Sequence, residues 1–209
     1  MNTNSEFDKV RQKENQKIRQ EALKIRNRIL DRSQKEKALV KNLMPFFAHA
    51  SRPGFFIPFR DEPDLSGLFK MVPDYLVPKV ISKTEMIFWK PENLKKQVFG
   101  VIEPFSKEIE AMMNHWVTEQ EMEEFRQRYV PDVLLVPLSA FFNTYRLGYG
   151  GGYYDRYLAN HPEIITIGVA FDEQEMAFYP MPWDQVLDYI VTPTRIIEKK
   201  QSEESRKGN

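Results

Sequence analysis

Three apolar runs constrain what this chain can fold into more than any other feature: DVLLVPL (132–138), IITIGVAF (164–171) and LDYIVT (187–192). Their Val, Ile and Leu residues follow one another without the polar alternation of a half-wet strand. Each run must therefore be covered on both faces, as in a parallel sheet held between helices. Shorter strand candidates precede them, at FFIPF (55–59), YLVPKVI (75–81), EMIFWK (85–90) and FGVIEP (99–104). Helical stretches at Leu65–Met71 and Tyr153–Leu158 separate several of these runs, an alternation that favours a three-layer α/β sandwich over an all-β fold.

A chain of 209 residues suits one such domain, and 42% hydrophobic residues are enough for a substantial core, which excludes global disorder. The absence of cysteine excludes a disulfide scaffold, a thiolate zinc site and a cysteine nucleophile. No apolar run approaches the roughly 18–20 residues of a membrane span. The start, MNTNSEFDKVRQKENQ, lacks the apolar stretch of a signal peptide, so the expected location is the cytoplasm. Thirty Lys and Arg balance thirty Asp and Glu, which argues against a dedicated nucleic-acid binder.

The charge is uneven. Residues 1–41 carry 12 basic against 6 acidic side chains. Within them Ile18, Ala22, Ile25 and Ile29 recur at helical spacing and leave Arg19, Lys24, Arg26 and Arg28 on other faces. The pattern predicts a long amphipathic helix that continues or restarts through Lys35–Phe47, after a flexible start over residues 1–12. Ser106–Val130 contains no Gly or Pro and is acidic, which predicts a helical insertion with a surface or packing role. The end of the chain, from 198 to 209, reads as a polar, frayed tail.

The stretch YRLGYGGGYYDRYL (145–158) carries the chemistry. Gly148, Gly150, Gly151 and Gly152 allow positive φ and close approach of backbone N–H groups to a ligand. A helix beginning at Tyr153 would aim its first amides at the same space, which suits phosphate oxygens, and Arg146 adds a cationic fork beside it. It is not the phosphate loop of common NTPases, because no Gly-Lys-Ser/Thr follows. Asp155, in the first helical turn, suits either Mg²⁺ bridging nucleotide phosphates or a dipole-favoured helix end. Tyr153 and Tyr154 either line a pocket or pack against the sheet.

With this loop in view, the chain resembles the 5-formyltetrahydrofolate cyclo-ligase family over residues 13–197. The ordered elements are Ile18-Arg19 with Arg26 on a basic helix, FIPFRDEPDL with Glu62, a VPKV strand, Gly100 to Pro104 in a Gly-x-x-Glu-Pro turn, RLGYGGGYYDRYL, and IGVAFDEQ followed by WDQVLDYIVT. The resemblance implies a single three-layer α/β/α domain with a mostly parallel, Rossmann-like central sheet and a cleft at the strands' C-terminal ends. It implies conversion of 5-formyltetrahydrofolate, with or without a polyglutamate tail, to 5,10-methenyltetrahydrofolate, using ATP and Mg²⁺ and releasing ADP and phosphate. In the family picture the formyl oxygen is phosphorylated, and a folate nitrogen then closes the ring. Such chemistry depends on alignment and charge neutralisation more than on a protein nucleophile. His49, His115 and His161 accordingly sit in no catalytic constellation. A monomer is expected.

Carried onto this chain, the resemblance gives Arg146 and Tyr153 the catalytic positions. It gives Lys17, Arg19, Arg146, Gly148, Tyr149, Gly150, Gly151, Gly152, Tyr153 and Tyr154 to ATP. Ile57, Glu62 and Phe99, together with Tyr149 to Tyr153 of the loop, fall to the folate, and Asp155 and Asp184 to Mg²⁺. Ile57 and Phe99 also suit a strand core, and Asp184 a solvated loop acid. The metal role predicts that Asp155→Asn abolishes turnover with little loss of stability. Five positions depart from the family pattern: Asn15 replaces a usual Lys, Gly151 stands where a Lys is frequent, Leu138 and Phe142 break a Pro-Gly-x-x-Phe-Asp segment, and Trp183 replaces a frequent His. Asn15, Leu138 and Phe142 motivate a second reading, a paralogue using the same loop on another amide or acid. A third, from the basic N-terminal region, is a non-catalytic module binding RNA or another acidic partner.

Overall fold

The three long apolar runs become the heart of the sheet in the computed structural model, which describes residues 3–97 and 100–200. In chain order, the elements before the first long run are α1 (Thr3–Asn27), α2 (Arg32–Leu43), β1 (Pro53–Gly54), α3 (Ser66–Met71), β2 (Val77–Val80), β3 (Met86–Trp89), β4 (Lys95–Lys96), β5 (Ile102–Glu103), α4 (Lys107–Met113) and α5 (Glu119–Arg128). Then come β6 (Val133–Pro137), β7 (Ala140–Phe142), β8 (Tyr145–Leu147), α6 (Tyr153–Ala159), β9 (Ile165–Val169), β10 (Tyr189–Val191) and β11 (Ile196–Glu198). The central sheet has the order β1-β6-β9-β10-β11, with four parallel strands and an antiparallel edge at β11.

Strand register explains the absence of polar alternation in the sequence. Val133 and Leu135 of β6 face one way with Ile167, Val169 and Val191, against Leu39, Val40 and Leu43 of α2 and Leu68 of α3. Leu134 and Val136 face the other way with Ile190, against Tyr157 and Leu158 of α6 and against Met86 and Phe88 of β3. Both faces are dry, so both parities of the strand must be apolar. Among the described residues, no helix is long and apolar enough to cross a membrane.

The acidic segment over 106–130 forms two helices joined by a turn. Ser106 caps α4 by accepting from the Ile109 N–H at 3.1 Å, and Thr118 with Glu121 forms a capping box at α5. Ile109 and Met112 cover Ile87 and Trp89 on the outer face of the β2–β3 hairpin, with Phe125 and Tyr129 packed alongside. The insertion therefore has a packing role.

Several expectations are corrected. FFIPF (55–59) is not a strand: after Gly54, Phe55 and Phe56 turn into the core, and Pro58 cannot donate to a ladder. Among the described residues of FGVIEP (99–104), the strand is Ile102–Glu103, paired with Lys95–Lys96. The connection after β6 is itself a hairpin, β7–β8. Residues 3–12, expected as a flexible start, are helical and continuous with the rest of α1. The inward stripe of α1 is not purely apolar either: Asn15, Ala22 and Arg26 are its buried residues, at helical spacing that also turns Arg19 inward. Hydrophobic periodicity had placed Arg19 and Arg26 on other faces.

Candidate active site

A cavity of about 720 Å³ opens beyond the carboxyl end of β6, between α1, the β2–β3 hairpin and the glycine loop. Its volume lies within the range of small-molecule sites, roughly 300–1,000 Å³. Strand order in the central sheet is strictly sequential, so the cavity is not created by a reversal of strand order. Hairpin β7–β8 creates it instead, by lifting the chain away from β6 and returning it as the glycine loop.

Gly152 ends the loop as the N-cap of α6 with φ 67°, and Gly150 has φ 99°, values that a side chain would strain. Gly148 answers a different need, since a Cβ there would lie 2.5 Å from Nη1 of Arg146. Among the described residues, the backbone N–H groups from Tyr149 to Tyr154 donate to no protein oxygen. The residues that carry them all line the cavity, so these unpaired donors are available beside it. The loop is fastened from behind: Arg156 donates to the Thr84 and Gly151 carbonyls at 2.7 and 2.9 Å, and the Tyr153 hydroxyl to the Ser82 carbonyl at 3.3 Å.

Charge is arranged in two groups. At one end, Arg146 is buried and paired with Asp155, Nη2 to Oδ2 at 2.9 Å, and lies over the Tyr154 ring. Arg19 donates from α1 to the Gly148 carbonyl at 2.7 Å; burial lowers its pKa, with Asp184 and Asp155 acting against that shift. Asp184 accepts from the Met181 N–H at 2.9 Å. Burial, and then the charge of Asp155, hold its carboxyl above the usual range, against the pull of the Met181 N–H, Arg146 and Arg19. At the other end, Glu62 is buried, accepting from the Phe59 N–H and the Tyr149 hydroxyl, both at 2.7 Å. Burial raises its pKa as well.

Of the residues singled out in the sequence, Arg19, Ile57, Glu62, Arg146, Gly148 to Asp155 and Asp184 line this one cavity. Lys17 does not; it is exposed on α1 and paired with Glu14 at 2.8 Å, one helical step away from the inward stripe. Phe99 lies outside the described residues. The three histidines line no part of the cavity. Among those that sequence reasoning missed, Trp183 and Met181 line the wall beside Asp184, and Arg26 reaches Tyr149 from behind it. Asn15, expected as the place of a missing cation, instead clasps the backbone of Tyr179 in both directions, at 2.7 and 3.0 Å.

Two carboxylates that repel each other beside free amides suit a hard divalent cation shared with phosphate oxygens, the usual manner of Mg²⁺. The residues present therefore fit that ion, although among the described residues no cluster of three or more His, Cys, Asp or Glu could hold a metal ion on its own.

Comparison with known proteins agrees with the geometry. A segment of 116 residues is 34% identical to the 5-formyltetrahydrofolate cyclo-ligase of Mycoplasma pneumoniae, covering 54% of this chain; the match spans about half the length of that curated relative, 52%. A solved structure described as a 5,10-methenyltetrahydrofolate synthetase from Mycoplasma pneumoniae superposes with a TM-score of 0.63 at 26% identity, over 86% of this chain and 98% of the other. The NMR structure of the Aquifex aeolicus 5,10-methenyltetrahydrofolate synthetase gives 0.67 at 25% identity, over 90% and 95%. The family model for the 5-formyltetrahydrofolate cyclo-ligase family matches residues 11–193, which include every residue lining the cavity, and the chain belongs to that family.

Proposed function

We propose that residues 13–197 form one domain that converts 5-formyltetrahydrofolate to 5,10-methenyltetrahydrofolate, consuming ATP with Mg²⁺ and releasing ADP and phosphate. The observation that carries this reading is the sharing of one cavity by a row of free loop amides and a buried carboxylate, Glu62. The amides suit phosphate oxygens, and the carboxylate suits the amino and ring N–H groups of a pterin. The names of the relatives point to the same substrate class.

In this reading the Gly148–Tyr154 backbone and Arg19 receive the triphosphate, and Arg146 offsets charge that builds on the transferred group. Asp155 and Asp184 would hold Mg²⁺, which when bound neutralises phosphate charge. An amide oxygen is a poor leaving group. Bond formation between the formyl oxygen and the γ-phosphorus expels ADP and turns that oxygen into a good one. Attack by the neighbouring folate nitrogen then closes the ring, and phosphate departs with the former formyl oxygen. The protein supplies alignment, and no side chain need form a covalent bond. Tyr153, whose hydroxyl is held by Ser82, serves as a wall that fixes the loop against the folate.

A cytoplasmic monomer acting on free or polyglutamylated folate completes the proposal. The RNA-binding reading gains no support from the site: Arg19 and Arg26 turn inward, and Arg11, Lys17 and Lys24 pair with acids one turn away on α1. The test is formation of the methenyl product, followed by its ultraviolet absorbance, with and without ATP and Mg²⁺. Turnover that requires both supports the proposal; turnover on another amide or acid but none on 5-formyltetrahydrofolate overturns it.

A further inference from the structure

Arg26 is wholly buried, one of the largest side chains in the molecule with no solvent contact. From α1 its Nη1 donates to the Leu138 carbonyl at 3.2 Å and its Nη2 to the Tyr149 hydroxyl at 2.8 Å. Its Nε is buried with no partner among the described residues. A buried cation at this cost calls for a reason beyond packing, because an apolar side chain of similar volume fills such a space at least as well.

The direction of the hydrogen bonds supplies one. A guanidinium can only donate, so the Tyr149 oxygen must accept from Arg26 and turn its own hydrogen toward Oε1 of Glu62. Oε2 of Glu62 already accepts from the Phe59 N–H. A carboxylate offers about four acceptor positions. The protein occupies two of them, and Glu62 lines the cavity, so the rest are left for a ligand there. We propose that Arg26 is a positioning residue of the folate subsite: by fixing the direction of the Arg26–Tyr149–Glu62 chain, it holds Glu62 as an acceptor-only carboxylate for a ligand bearing paired N–H donors. This rests on the folate reading given above.

The electrostatics agree with the geometry. Burial raises the pKa of Glu62, and the Tyr149 hydroxyl, the Phe59 N–H and the charge of Arg26 hold it back. Burial first, and then the charge of Glu62, push the Tyr149 hydroxyl well up, so it stays protonated and able to donate. Around Glu62 the titratable and charged groups are Arg26 from α1, Tyr149 from the loop and Tyr154 from α6, while Arg32 from α2 meets only its backbone carbonyl.

The test is steady-state kinetics of Arg26→Met, Arg26→Lys, Tyr149→Phe, the Arg26→Met/Tyr149→Phe double variant and Glu62→Gln, over mildly acid to mildly alkaline pH. Loss of one charge-assisted link is expected to raise the KM for 5-formyltetrahydrofolate about tenfold, with kcat and the KM for ATP changed by less than about threefold. The double variant should be no worse than the worse single one, because both act through one chain. Arg26→Lys should recover part of the loss. Without the charge of Arg26 the pKa of Glu62 rises further, so the acid-side increase in folate KM should begin at higher pH than in the parent. Multiplying effects in the double variant, or an unshifted pH profile, would overturn the proposal. Should Arg26→Met fail to fold, Tyr149→Phe decides alone: the residue is 45% exposed, it loses only a hydroxyl, and an unchanged folate KM overturns the proposal. If Glu62→Gln binds folate normally, the folate subsite itself is misplaced; if only Glu62→Gln is impaired, the role of Arg26 alone falls.

Discussion

Asp155→Asn separates the structural and chemical duties of the site. In the sequence, Asp155 is a metal candidate whose removal should leave stability alone. The structure revises that expectation, because Asp155 is also the counter-ion of Arg146, whose side chain is only 4% exposed. Two unit charges about 4 Å apart at an effective dielectric near 20 attract by about 4 kcal/mol. Asparagine keeps an oxygen acceptor for Nη2, and a neutral bond of that kind retains about 1 kcal/mol. Removing the repulsion of Asp184 returns a further part. The net loss is about 2 kcal/mol, or about 4–8 °C in Tm for a domain of this size. Turnover in the folded fraction should fall about a hundredfold or more, the scale of losing a principal group that stabilises the transition state. Urea unfolding and the methenyl assay, run on the same preparation, measure both. Parental stability would refute the ion-pair reasoning, and parental turnover would refute the metal role.

Asp184→Asn should do the opposite to stability. The carboxyl has a raised pKa in the fold, so its ionised form is penalised above that pKa, and the penalty disappears once pH falls below the unfolded value. The variant should therefore be more stable at neutral pH, lose that advantage in acid, and lose turnover; a neutral-pH Tm below that of the parent contradicts this. Asn15→Lys leaves the Tyr179 N–H without its acceptor and should cost about 1–3 kcal/mol by denaturant unfolding, whereas unchanged stability would show that the clasp contributes nothing. Replacing residues 107–128 by a short polar linker uncovers Ile87 and Trp89, each worth about 1.5–3 kcal/mol of burial. The Tm should drop steeply and a hydrophobic dye should bind; an unchanged Tm means that the insertion does not support the hairpin.

The sheet was legible because burial on two faces leaves a mark on every residue of β6 and on Ile167 and Val169 of β9. The glycine loop was legible because backbone donors and close approach need residues without side chains, and no packing rule produces four of them in five positions. What stayed hidden followed other rules. FFIPF reads as a strand by composition, yet a ladder needs partners and Pro58 removes a donor. The inward face of α1 could not be found by searching for apolar periodicity, because Asn15, Arg19 and Arg26 are polar residues that bond to backbone and hydroxyl groups distant in sequence. Lys17 looked equivalent to Arg19, but two residues along a helix turn the side chain by about 200°. The placement of Glu62 beside the loop depends on a hairpin between β6 and α6 that leaves no strong local signal.

A metal-bound nucleotide and a reduced folate are expected to occupy one cavity at the same time. Calorimetric titration of a non-hydrolysable ATP analogue with Mg²⁺ into native protein already saturated with 5-formyltetrahydrofolate tests it most directly. One analogue per chain, bound in the presence of the folate and weakened when Mg²⁺ is withdrawn, is the expected result. Absence of binding, or displacement of the folate by the analogue, would contradict the claim.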